Sequence, residues 1–350
     1  MPTPRVSVVV VNYNYARFLH RSIGSALGQD WPEVEVVVVD DCSTDESRAL
    51  IAEYGERIRP VLQPCNRGHG AAMNAGFAAS TGEVVIFLDS DDYLYPHAAR
   101  RIVENSAPGV AQYQYRLDLV DAEGTVVDAY PPREFGWQDG DVTGQLLSSG
   151  RFATTVTSGL AFSRQALEHI LPMDETAFRQ GGDGYLVTVA PLYGAVKTVD
   201  ETLGAYCQHG GNHSQFAAAV AQRARWRMLH DQMRYDALKQ HAGRLGLDLA
   251  GEPWRNDPLH LEERVASLLL DPDGHPEPKD RRAAIARSAL AAYQTLPISD
   301  RRRRVMKMWW LLVGYGPPSI AQRAVSWKLH AGARPAIIRS MARAVRQMAG

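Results

Sequence analysis

Three carboxylates stand together in Asp89-Ser90-Asp91-Asp92, directly after the apolar run Val84–Leu88. A short, β-branched run of this kind is typical of a strand that is covered on both faces. Carboxylates at the end of such a strand repel one another, and burying them is costly unless a cation neutralises them. Oxygen ligands suit Mg²⁺ or Mn²⁺, which keep open positions for phosphate oxygens. The cluster therefore predicts a divalent-metal site, with a solvated acidic loop as the alternative interpretation.

Polar residues also follow two other apolar runs near the N-terminus. Asp40-Asp41 comes after Val34–Val39, and Asn12-Tyr13-Asn14 comes after Val6–Val11. A carboxylate at the end of a strand can accept a hydrogen bond from the N3–H of uracil or from a ribose hydroxyl. A tyrosine ring can stack on a base. These residue types predict a nucleoside-binding site in the same layer as the acidic cluster.

The three polar clusters need a sheet that brings the ends of their strands to one edge. Helical spacing of apolar residues over Tyr15–Leu27 predicts a helix between the first two strands. Further helices at Asp45–Tyr54 and Gly70–Ala79 and a weaker strand at Ile58–Leu62 continue the alternation. Alternating strands and helices predict an α/β fold with a mostly parallel sheet flanked by helices, and ligands of such sheets bind at the carboxyl ends of the strands.

The pattern changes after residue 108. Val110–Val120 and Thr125–Ala129 predict a hairpin, and Gly159–Phe162 predicts a further strand. From about residue 215 onward, every periodic segment has helical spacing. The sequence therefore predicts an α/β domain over residues 1–214 and an all-α C-terminal region over residues 215–350.

Four motifs, in their order and intervals, resemble those of the inverting family-two glycosyltransferases with the GT-A fold. They are Val6–Val11 with Asn12-Tyr13-Asn14, the pair Asp40-Asp41, Asn66-Arg67-Gly68 with Asn74, and Asp89-Ser90-Asp91-Asp92. The similarity covers roughly residues 4–214. It implies a Rossmann-like nucleotide-diphospho-sugar transferase fold, with a nucleotide-binding half at about 1–108 and an acceptor half at about 109–214.

The resemblance implies a binding role for each motif. A nucleotide-sugar donor, with a UDP-sugar as the first choice, would be held by Val11, Tyr13, Asn14, Asp41, Arg67, Gly68, Asn74, Asp89 and Ser90. The segment Asn66-Arg67-Gly68 is expected to open a helix whose free N–H groups face the diphosphate. An ordinary loop and helix start is the alternative for that segment.

The resemblance also implies the metal ligands. Asp91 and Asp92 would bind Mn²⁺ or Mg²⁺. His209 ends the family-like segment Tyr206-Cys207-Gln208-His209 and would bind the metal or the diphosphate. A purely structural histidine is the alternative.

The family places its catalytic base in a downstream Glu-Asp or Gly-Asp element, which here is Gly181-Gly182-Asp183-Gly184-Tyr185. Inverting transfer needs a carboxylate that takes the proton from the acceptor hydroxyl, while a cation absorbs charge on the departing diphosphate. We predict that Asp183 is this base, with a plain helix N-cap as the alternative. Asp174 and Glu175 are the competing carboxylates. Gly182 replaces the glutamate that is usual in the family.

Composition excludes several classes of protein. A chain of 350 residues with 45% apolar residues can form one large α/β domain and a smaller appendage. From Lys279 to the end there are fifteen Lys or Arg and two Asp or Glu, whereas residues 1–278 hold twenty-three and thirty-seven. An acidic body is poor at binding nucleic acid. Three cysteines without a C-x-x-C pair, no signal-peptide pattern and no apolar stretch of about 20 residues predict a cytoplasmic protein.

The basic tail is open to more than one interpretation. Arg301–Arg304 precede Met308-Trp309-Trp310-Leu311-Leu312, and Pro335–Met348 has an apolar stripe opposite its arginines. Basic amphipathic helices with interfacial tryptophan lie on anionic membranes, which would place the protein at the inner face of the cytoplasmic membrane. Packing against the catalytic domain, or against a second subunit of a homo-oligomer, would produce the same stripe.

These features support one main hypothesis, an inverting glycosyltransferase that moves a sugar from a nucleotide sugar to a saccharide or lipid-linked saccharide in polysaccharide or glycoconjugate biosynthesis. One alternative is a catalytically inactive nucleotide-sugar-binding scaffold subunit. Another is a component of a processive polysaccharide synthase, because Gln222-Arg223-Ala224-Arg225-Trp226 matches Q-x-x-R-W and could contact acceptor sugar. A Rossmann dehydrogenase is discounted because no G-x-G-x-x-G follows the first strand.

Overall fold

The protein is described by a computed structural model covering residues 3–121, 123–133, 135–209, 220–249, 251–295 and 298–329. Contacts divide the chain into two compact units. Unit 1 comprises Met1–Leu147, Arg151–Gly210 and Asp236–Asp248, and unit 2 comprises Ser148–Gly150, Gly211–Tyr235 and Leu249–Gly350. The predicted boundary between residues 214 and 215 lies outside the described residues and stays a prediction.

Unit 1 contains a sheet whose first half is parallel, as predicted. Its strands lie in the order β3-β2-β1-β4. They are β1 (Val6–Asn12), β2 (Val34–Asp40), β3 (Arg59–Leu62) and β4 (Val84–Asp89). In the register of the sheet, Val11 lies opposite both Val39 and Asp89. The polar residues that follow β1, β2 and β4 therefore lie at one edge, which is what the sequence predicted.

The second half of the sheet makes it mixed as a whole. Its strands are β5 (Tyr93–Leu94), β6 (Val110–Val120), β7 (Val126–Tyr130), β8 (Leu160–Ser163) and β9 (Ala195–Cys207). Strand β8 runs antiparallel to both β4 and β6, while β9 runs parallel to β6. The predicted hairpin is present as β6 and β7. Strand β9 is not predicted by the sequence analysis, although it carries the chain to His209.

Helices cover both faces of this sheet. They are α1 (Ala16–Leu27), α2 (Ser47–Glu53), α3 (His69–Ala79), α4 (Ala98–Glu104), α5 (Thr143–Ser149), α6 (Arg164–Ile170) and α7 (Gly182–Val189). Helix α1 buries Leu19 and Ile23 in the core, as its apolar spacing predicts. Helix α3 packs close to the sheet because Gly76 has no side chain, and a Cβ there would lie 2.3 Å from Cγ1 of Val9.

The described residues after 219 are mostly helical, as the sequence predicts. The remaining helices are α8 (Val220–Arg244), α9 (Pro258–Leu270), α10 (Arg282–Thr295), α11 (Asp300–Tyr315) and α12 (Pro318–Leu329). Unit 2 has its own apolar core, in which Val265, Ala289, Trp310, Val313 and Val325 are buried. Within the part of the chain that the structure describes, no helix has the length and apolar character that crossing a bilayer would require.

Candidate active site

Asp40 and Asp41 follow β2 and have different partners. Asp40 is fully buried, and its Oδ1 accepts a hydrogen bond of 3.0 Å from Nδ2 of Asn12. Its Oδ2 accepts from the backbone N–H of Ser43 at 3.0 Å and from Nε of Arg48 at 2.8 Å. Asp40 therefore holds the turn after β2 in place, which leaves Asp41 as the carboxylate that reaches the next loop.

Asp41 binds the segment that precedes α3. Its Oδ1 accepts from the backbone N–H of Arg67 at 2.8 Å, and its Oδ2 accepts from that of Gly68 at 2.6 Å. Burial raises the pKa of Asp41 above its usual value, and the two backbone donors oppose that rise. Each carboxylate oxygen has a second lone pair, so contact with a nucleoside stays compatible with these bonds and stays a prediction.

The first N–H groups of α3, which the sequence predicts to face a diphosphate, have partners within the protein, and their contact with a donor stays a prediction. The N–H groups of Arg67 and Gly68 bind Asp41, while those of His69 and Gly70 donate to the carbonyl oxygens of Arg179, at 2.7 Å, and Phe178, at 3.0 Å. The approach is close because Gly68, at φ 95°, has no side chain. A Cβ at Gly68 would lie 2.2 Å from the Arg179 oxygen. The start of α3 is thus joined to the segment that leads into α7.

Asn74 forms hydrogen bonds within the protein, and its predicted contact with the donor stays a prediction. Its Oδ1 accepts from the N–H of Met173 at 2.9 Å, and its Nδ2 donates to the Met173 carbonyl at 2.9 Å. The same Nδ2 also lies 3.3 Å from Oε1 of Glu175. The amide is buried and points from α3 toward this segment, so its donors and acceptor are used within the protein.

The two competing carboxylates are also engaged in structural contacts. Glu175 forms an ion pair with the Arg67 guanidinium in addition to its contact with Asn74. Asp174 accepts through Oδ1 from the N–H groups of Thr176, at 2.8 Å, and Ala177, at 3.0 Å. The predicted donor-binding side chain of Arg67 therefore holds this loop, and Asp183 is the better candidate for a base.

Asp183 lies in the first turn of α7, after Gly181 in the left-handed conformation at φ 70°. Its side chain is partly exposed. None of the residues that the structure describes donates a hydrogen bond to its carboxylate, so the N-cap alternative has no support. A Cβ at Gly182 would lie 3.0 Å from Sδ of Met73 and 3.1 Å from Cα of Gly70. This crowding explains why glycine occupies the position of the usual glutamate.

Asp91 faces His209 across the edge of the sheet. Oδ2 of Asp91 lies 3.0 Å from Nε2 of His209. Burial raises the pKa of Asp91, the charge of Asp89 adds to the rise, and His209 opposes it. Asp89 itself is partly exposed, and its backbone N–H donates to the Ser158 hydroxyl at 3.2 Å. This is the environment in which a cation would relieve the repulsion between carboxylates.

Asp92 and Ser90, which are neighbours of Asp91 in the chain, are both buried. Oδ1 of Asp92 accepts from the backbone N–H of Cys207 at 2.9 Å, so Asp92 fixes the end of β9. Burial raises the pKa of Asp92 well above its usual range, and the charges of Asp91 and Asp89 add to this. The N–H of Ser90 donates to the Val11 carbonyl at 3.2 Å. The structure therefore shows a structural contact for Asp92, and its predicted role as a metal ligand stays a prediction.

His209 is held on several sides. A guanidinium nitrogen of Arg17, which can only donate, lies 3.3 Å from its Nδ1. In the neutral ring Nδ1 then accepts and Nε2–H points at Asp91, so Nε2 would have to lose this proton before it could bind a metal. The Phe18 ring stacks on the imidazole at 4.5 Å between centroids, and the Tyr15 ring packs edge to face at 5.6 Å between centroids. The Tyr-x-x-His segment indicates His209 in the sequence, but nothing in the sequence indicates that Arg17 and Phe18 surround it.

The residues around Asp91 fit a metal that is shared with a phosphate ligand. Across the described ranges, no three His, Cys, Asp or Glu side chains are grouped so as to hold an ion by themselves. Mg²⁺ sites commonly have one or two carboxylates and obtain other ligands from phosphate and water. Asp91 and His209, with Asp89 next to them, supply such a partial set of ligands.

After β1, Tyr13 presents an exposed aromatic ring, whereas Asn14 forms part of a turn. Tyr13 is 43% exposed, which leaves its ring able to stack on a base. Asn14 has a positive φ of 58°, and its Oδ1 accepts from the N–H of Thr44 at 2.7 Å. Asn14 thus joins the turns after β1 and β2. Its predicted contact with the nucleoside would require other atoms of the residue.

His69 is a site residue that the sequence analysis misses. Its Nδ1 accepts from the N–H of Gly182 at 3.2 Å, and its Nε2 lies 3.4 Å from Oδ1 of Asp89. Burial lowers its pKa, but Asp89, Asp183 and Asp41 outweigh this effect and leave the pKa raised. The imidazole joins the acidic end of β4 to the residue that precedes Asp183. A histidine at the start of a predicted helix carries no signal of this role.

We expect His69→Ala to lower kcat about 10–100-fold, because the loop of Asp183 would lose its support against Asp89. The KM for the donor should change less than kcat, since no donor-binding group is removed. Steady-state kinetics of sugar transfer measure both constants. His20→Ala is the matched control, because that imidazole bonds the Tyr54 hydroxyl at 2.9 Å outside the site. An unchanged kcat in His69→Ala would show that the bridge is dispensable.

The fold and the site define a glycosyltransferase with the GT-A fold. The chain belongs to glycosyl transferase family 2, whose sequence profile matches residues 7–171. An uncharacterized glycosyltransferase of Nostoc sp. is 39% identical over 222 residues, which cover 62% of this chain and 68% of that relative. The poly(ribitol-phosphate) beta-N-acetylglucosaminyltransferase TarS of Staphylococcus aureus is 37% identical over 150 residues, 41% of this chain and 25% of TarS.

Two solved structures share the fold. Residues 1–349 of S. aureus TarS, in complex with UDP-GlcNAc, superpose with a TM-score of 0.50 at 18% identity, covering 93% of this chain and 91% of that one. The mannosyltransferase PcManGT of Pyrobaculum calidifontis, in complex with GDP-Man and Mn²⁺, gives a TM-score of 0.50 at 19% identity, covering 94% and 86%. At these identities the likeness defines the fold alone.

Proposed function

We propose that this protein is a metal-dependent, inverting glycosyltransferase. It transfers one sugar from a nucleotide sugar, with a UDP-sugar as first choice, to a hydroxyl of a saccharide or lipid-linked saccharide in polysaccharide or glycoconjugate biosynthesis. One observation carries the proposal: His69 joins the backbone N–H of Gly182, the residue before Asp183, to Asp89 at the acidic end of β4. An acid cluster for a diphosphate and a base for an acceptor therefore belong to one site.

Donor binding in this proposal uses the edge formed by β1, β2 and β4. Tyr13 stacks on the base, and the remaining lone pairs of Asp41 accept from the nucleoside. Asp89, which is partly exposed, accepts from the ribose. The complexes of TarS with UDP-GlcNAc and of PcManGT with GDP-Man support a nucleotide-sugar donor without deciding between the bases.

Asp91 and His209 would hold Mn²⁺ or Mg²⁺ in this proposal. The ion, when bound, supplies positive charge to the departing diphosphate. Asp91 provides an oxygen ligand whose own ionised form is disfavoured by burial and by Asp89, so an added cation would lower its pKa. The Mn²⁺ in the PcManGT complex supports this choice of ion.

Asp183 acts as the general base. Its carboxylate takes the proton of the acceptor hydroxyl while that oxygen attacks the anomeric carbon of the donor. The new carbon–oxygen bond forms on the face opposite the bond to phosphate, which breaks and leaves the nucleoside diphosphate. A single displacement of this kind inverts the anomeric configuration. Gly181 and Gly182 allow the backbone turn that places the carboxylate at the start of α7.

Single transfer is favoured over processive synthesis by the contacts of the Q-x-x-R-W match. Nη1 of Arg225 lies 2.6 Å from Oδ2 of Asp271 and 3.2 Å from the Gly274 carbonyl. The Trp226 ring stacks on His230 with centroids 5.0 Å apart. These contacts give both side chains a structural role within unit 2, so the match does not need a growing polymer to explain it.

A thermal-shift screen tests the proposed function. UDP with Mn²⁺ should stabilise the full chain by about 2.7 kcal/mol at a ligand concentration one hundred times Kd, because only the folded protein binds it. UDP without a divalent cation, and Mn²⁺ alone, should give much smaller shifts. Hydrolysis of radiolabelled UDP-sugar separates an enzyme from an inactive scaffold subunit. No shift with any nucleotide or nucleotide sugar would contradict the proposal.

A further inference from the structure

Helix α11 has apolar side chains on two opposite faces. On one face Met306, Trp310 and Val313 are buried in the core of unit 2. Trp309 is also engaged, because its Nε1 donates to the Ala324 carbonyl at 3.3 Å and Nζ of Lys328 lies 4.8 Å from the centre of its ring. The predicted interfacial tryptophans are therefore part of the protein interior or its border.

The opposite face of α11 presents an exposed apolar stripe. Its members recur at three- and four-residue intervals, which places them on one side of a helix. They are Val305 (59% exposed), Met308 (72%), Leu311 (44%), Leu312 (39%) and Tyr315 (54%). Contiguous exposed apolar surface of this kind marks a site of interaction with another molecule.

Basic residues surround the N-terminal end of this stripe. Helical spacing puts Arg301 and Arg304 on the same side as Met308, and Lys307 on its flank. All three are exposed, and they form no ion pair with residues inside the described ranges. Asp300 is the acidic residue of α11. The surface thus combines apolar side chains with unneutralised positive charge, and an anionic partner complements it.

We propose that the exposed face of α11 docks on an anionic lipid bilayer. The stripe from Val305 to Tyr315 enters the boundary between head groups and acyl chains, and Arg301, Arg304 and Lys307 bind lipid phosphates. The inference rests on the proposed function, since a lipid-linked acceptor would give membrane docking a purpose. The segment Pro335–Met348, for which the sequence suggested a similar role, lies outside the described residues and is not needed here.

Vesicle flotation of the full chain tests the docking surface. Binding to vesicles of phosphatidylglycerol and phosphatidylcholine should exceed binding to phosphatidylcholine alone, and added salt should weaken it. The double variant Met308→Glu with Leu312→Glu should reduce the partition coefficient at least about tenfold. The matched control, Val126→Glu with Val127→Glu, changes two exposed valines on β7 and should bind like the original protein. Arg301→Glu with Arg304→Glu should remove the preference for anionic lipid.

Two results would overturn the docking proposal. One is unchanged vesicle binding in the Met308 and Leu312 variant. The other is an oligomer of the original protein that this variant converts to a monomer, which would assign the face to a second copy of the chain. UDP-dependent thermal shifts and donor hydrolysis in solution are measured on the same preparations. If neither the original protein nor any variant showed a UDP-dependent thermal shift or donor hydrolysis, the proposed function would be rejected. Vesicle flotation would still test the docking surface independently.

Discussion

Asp183→Asn is expected to lower kcat for sugar transfer by about 10²–10⁴-fold, the range that removal of a general base produces. The amide nearly matches the carboxylate in shape but cannot take a proton at neutral pH. Because the Asp183 side chain accepts no hydrogen bond within the described ranges, the exchange should leave the fold intact. Donor affinity should stay within about twofold, since the donor is held elsewhere.

The measurement is a pair of assays on the same protein, single-turnover transfer and UDP-sugar binding. Asp174→Asn is the matched control, because Asp174 lies in the same loop and caps the N–H groups of Thr176 and Ala177. It should keep most of the transfer rate and lose some stability. Asp183→Glu should recover part of the rate if a carboxylate is what the site requires. Full transfer by Asp183→Asn would move the base to another residue.

The parallel half of the fold could be predicted because its signals are local. The runs Val6–Val11, Val34–Val39 and Val84–Leu88 are continuous, β-branched and followed by polar residues, so strand ends and acidic clusters coincide in the sequence. Parallel strands joined by helices place those ends at one edge. The position of Asp41 and Asp91 at that edge therefore follows from the sequence alone.

Strand β9 could not be predicted because tertiary contacts create it. Ala195–Cys207 interrupts its apolar residues with Lys197, Asp200 and Glu201, so neither a continuous run nor strict alternation is present. The strand forms by pairing with β6, with shifts of register along its length. Without β9, only the family resemblance, and no pattern of apolar residues, placed His209 at the same site as Asp91.

The different roles of neighbouring polar residues could not be predicted from the sequence either. Asp91 and Asp92 are adjacent and chemically identical, yet the first faces His209 and the second accepts from Cys207 in the interior. Asn74 has the residue type for donor binding and holds Met173. The residue type determines which hydrogen bonds a side chain can form. The orientation of that side chain, which the backbone sets, determines which of them do form.

In the C-terminal helices, the sequence likewise does not determine which apolar residues are buried. The sequence indicates an amphipathic basic segment around Met308 to Leu312, but it cannot tell which apolar face meets the core. Packing against α10 and α12 selects Trp310 for burial and leaves Met308 outside. A helix with two apolar faces has no preferred orientation until its neighbours are known.

Asp91→Asn is expected to lower the transfer rate by at least about 10²-fold and to remove its dependence on Mn²⁺, because the metal would lose its charged carboxylate ligand. The change is conservative in structure. The amide oxygen can still accept from Nε2 of His209, 3.0 Å away in the original protein, so the end of β4 should keep its shape. The loss should appear both in donor hydrolysis titrated with Mn²⁺ and in the Mn²⁺-dependent part of the UDP thermal shift.

Asp92→Asn is the sharpest comparison for this experiment, because it removes the next carboxylate in the chain. Burial raises the pKa of Asp92 well above its usual range, and the charges of Asp91 and Asp89 add to the rise, so an uncharged amide should be tolerated at this position. Asn at this position can still accept from the N–H of Cys207. Asp92→Asn should therefore keep the Mn²⁺ response that Asp91→Asn loses. If Asp92→Asn lost the Mn²⁺ response and Asp91→Asn kept it, Asp92 would be the metal ligand. Its buried side chain would then have to become accessible before the metal binds.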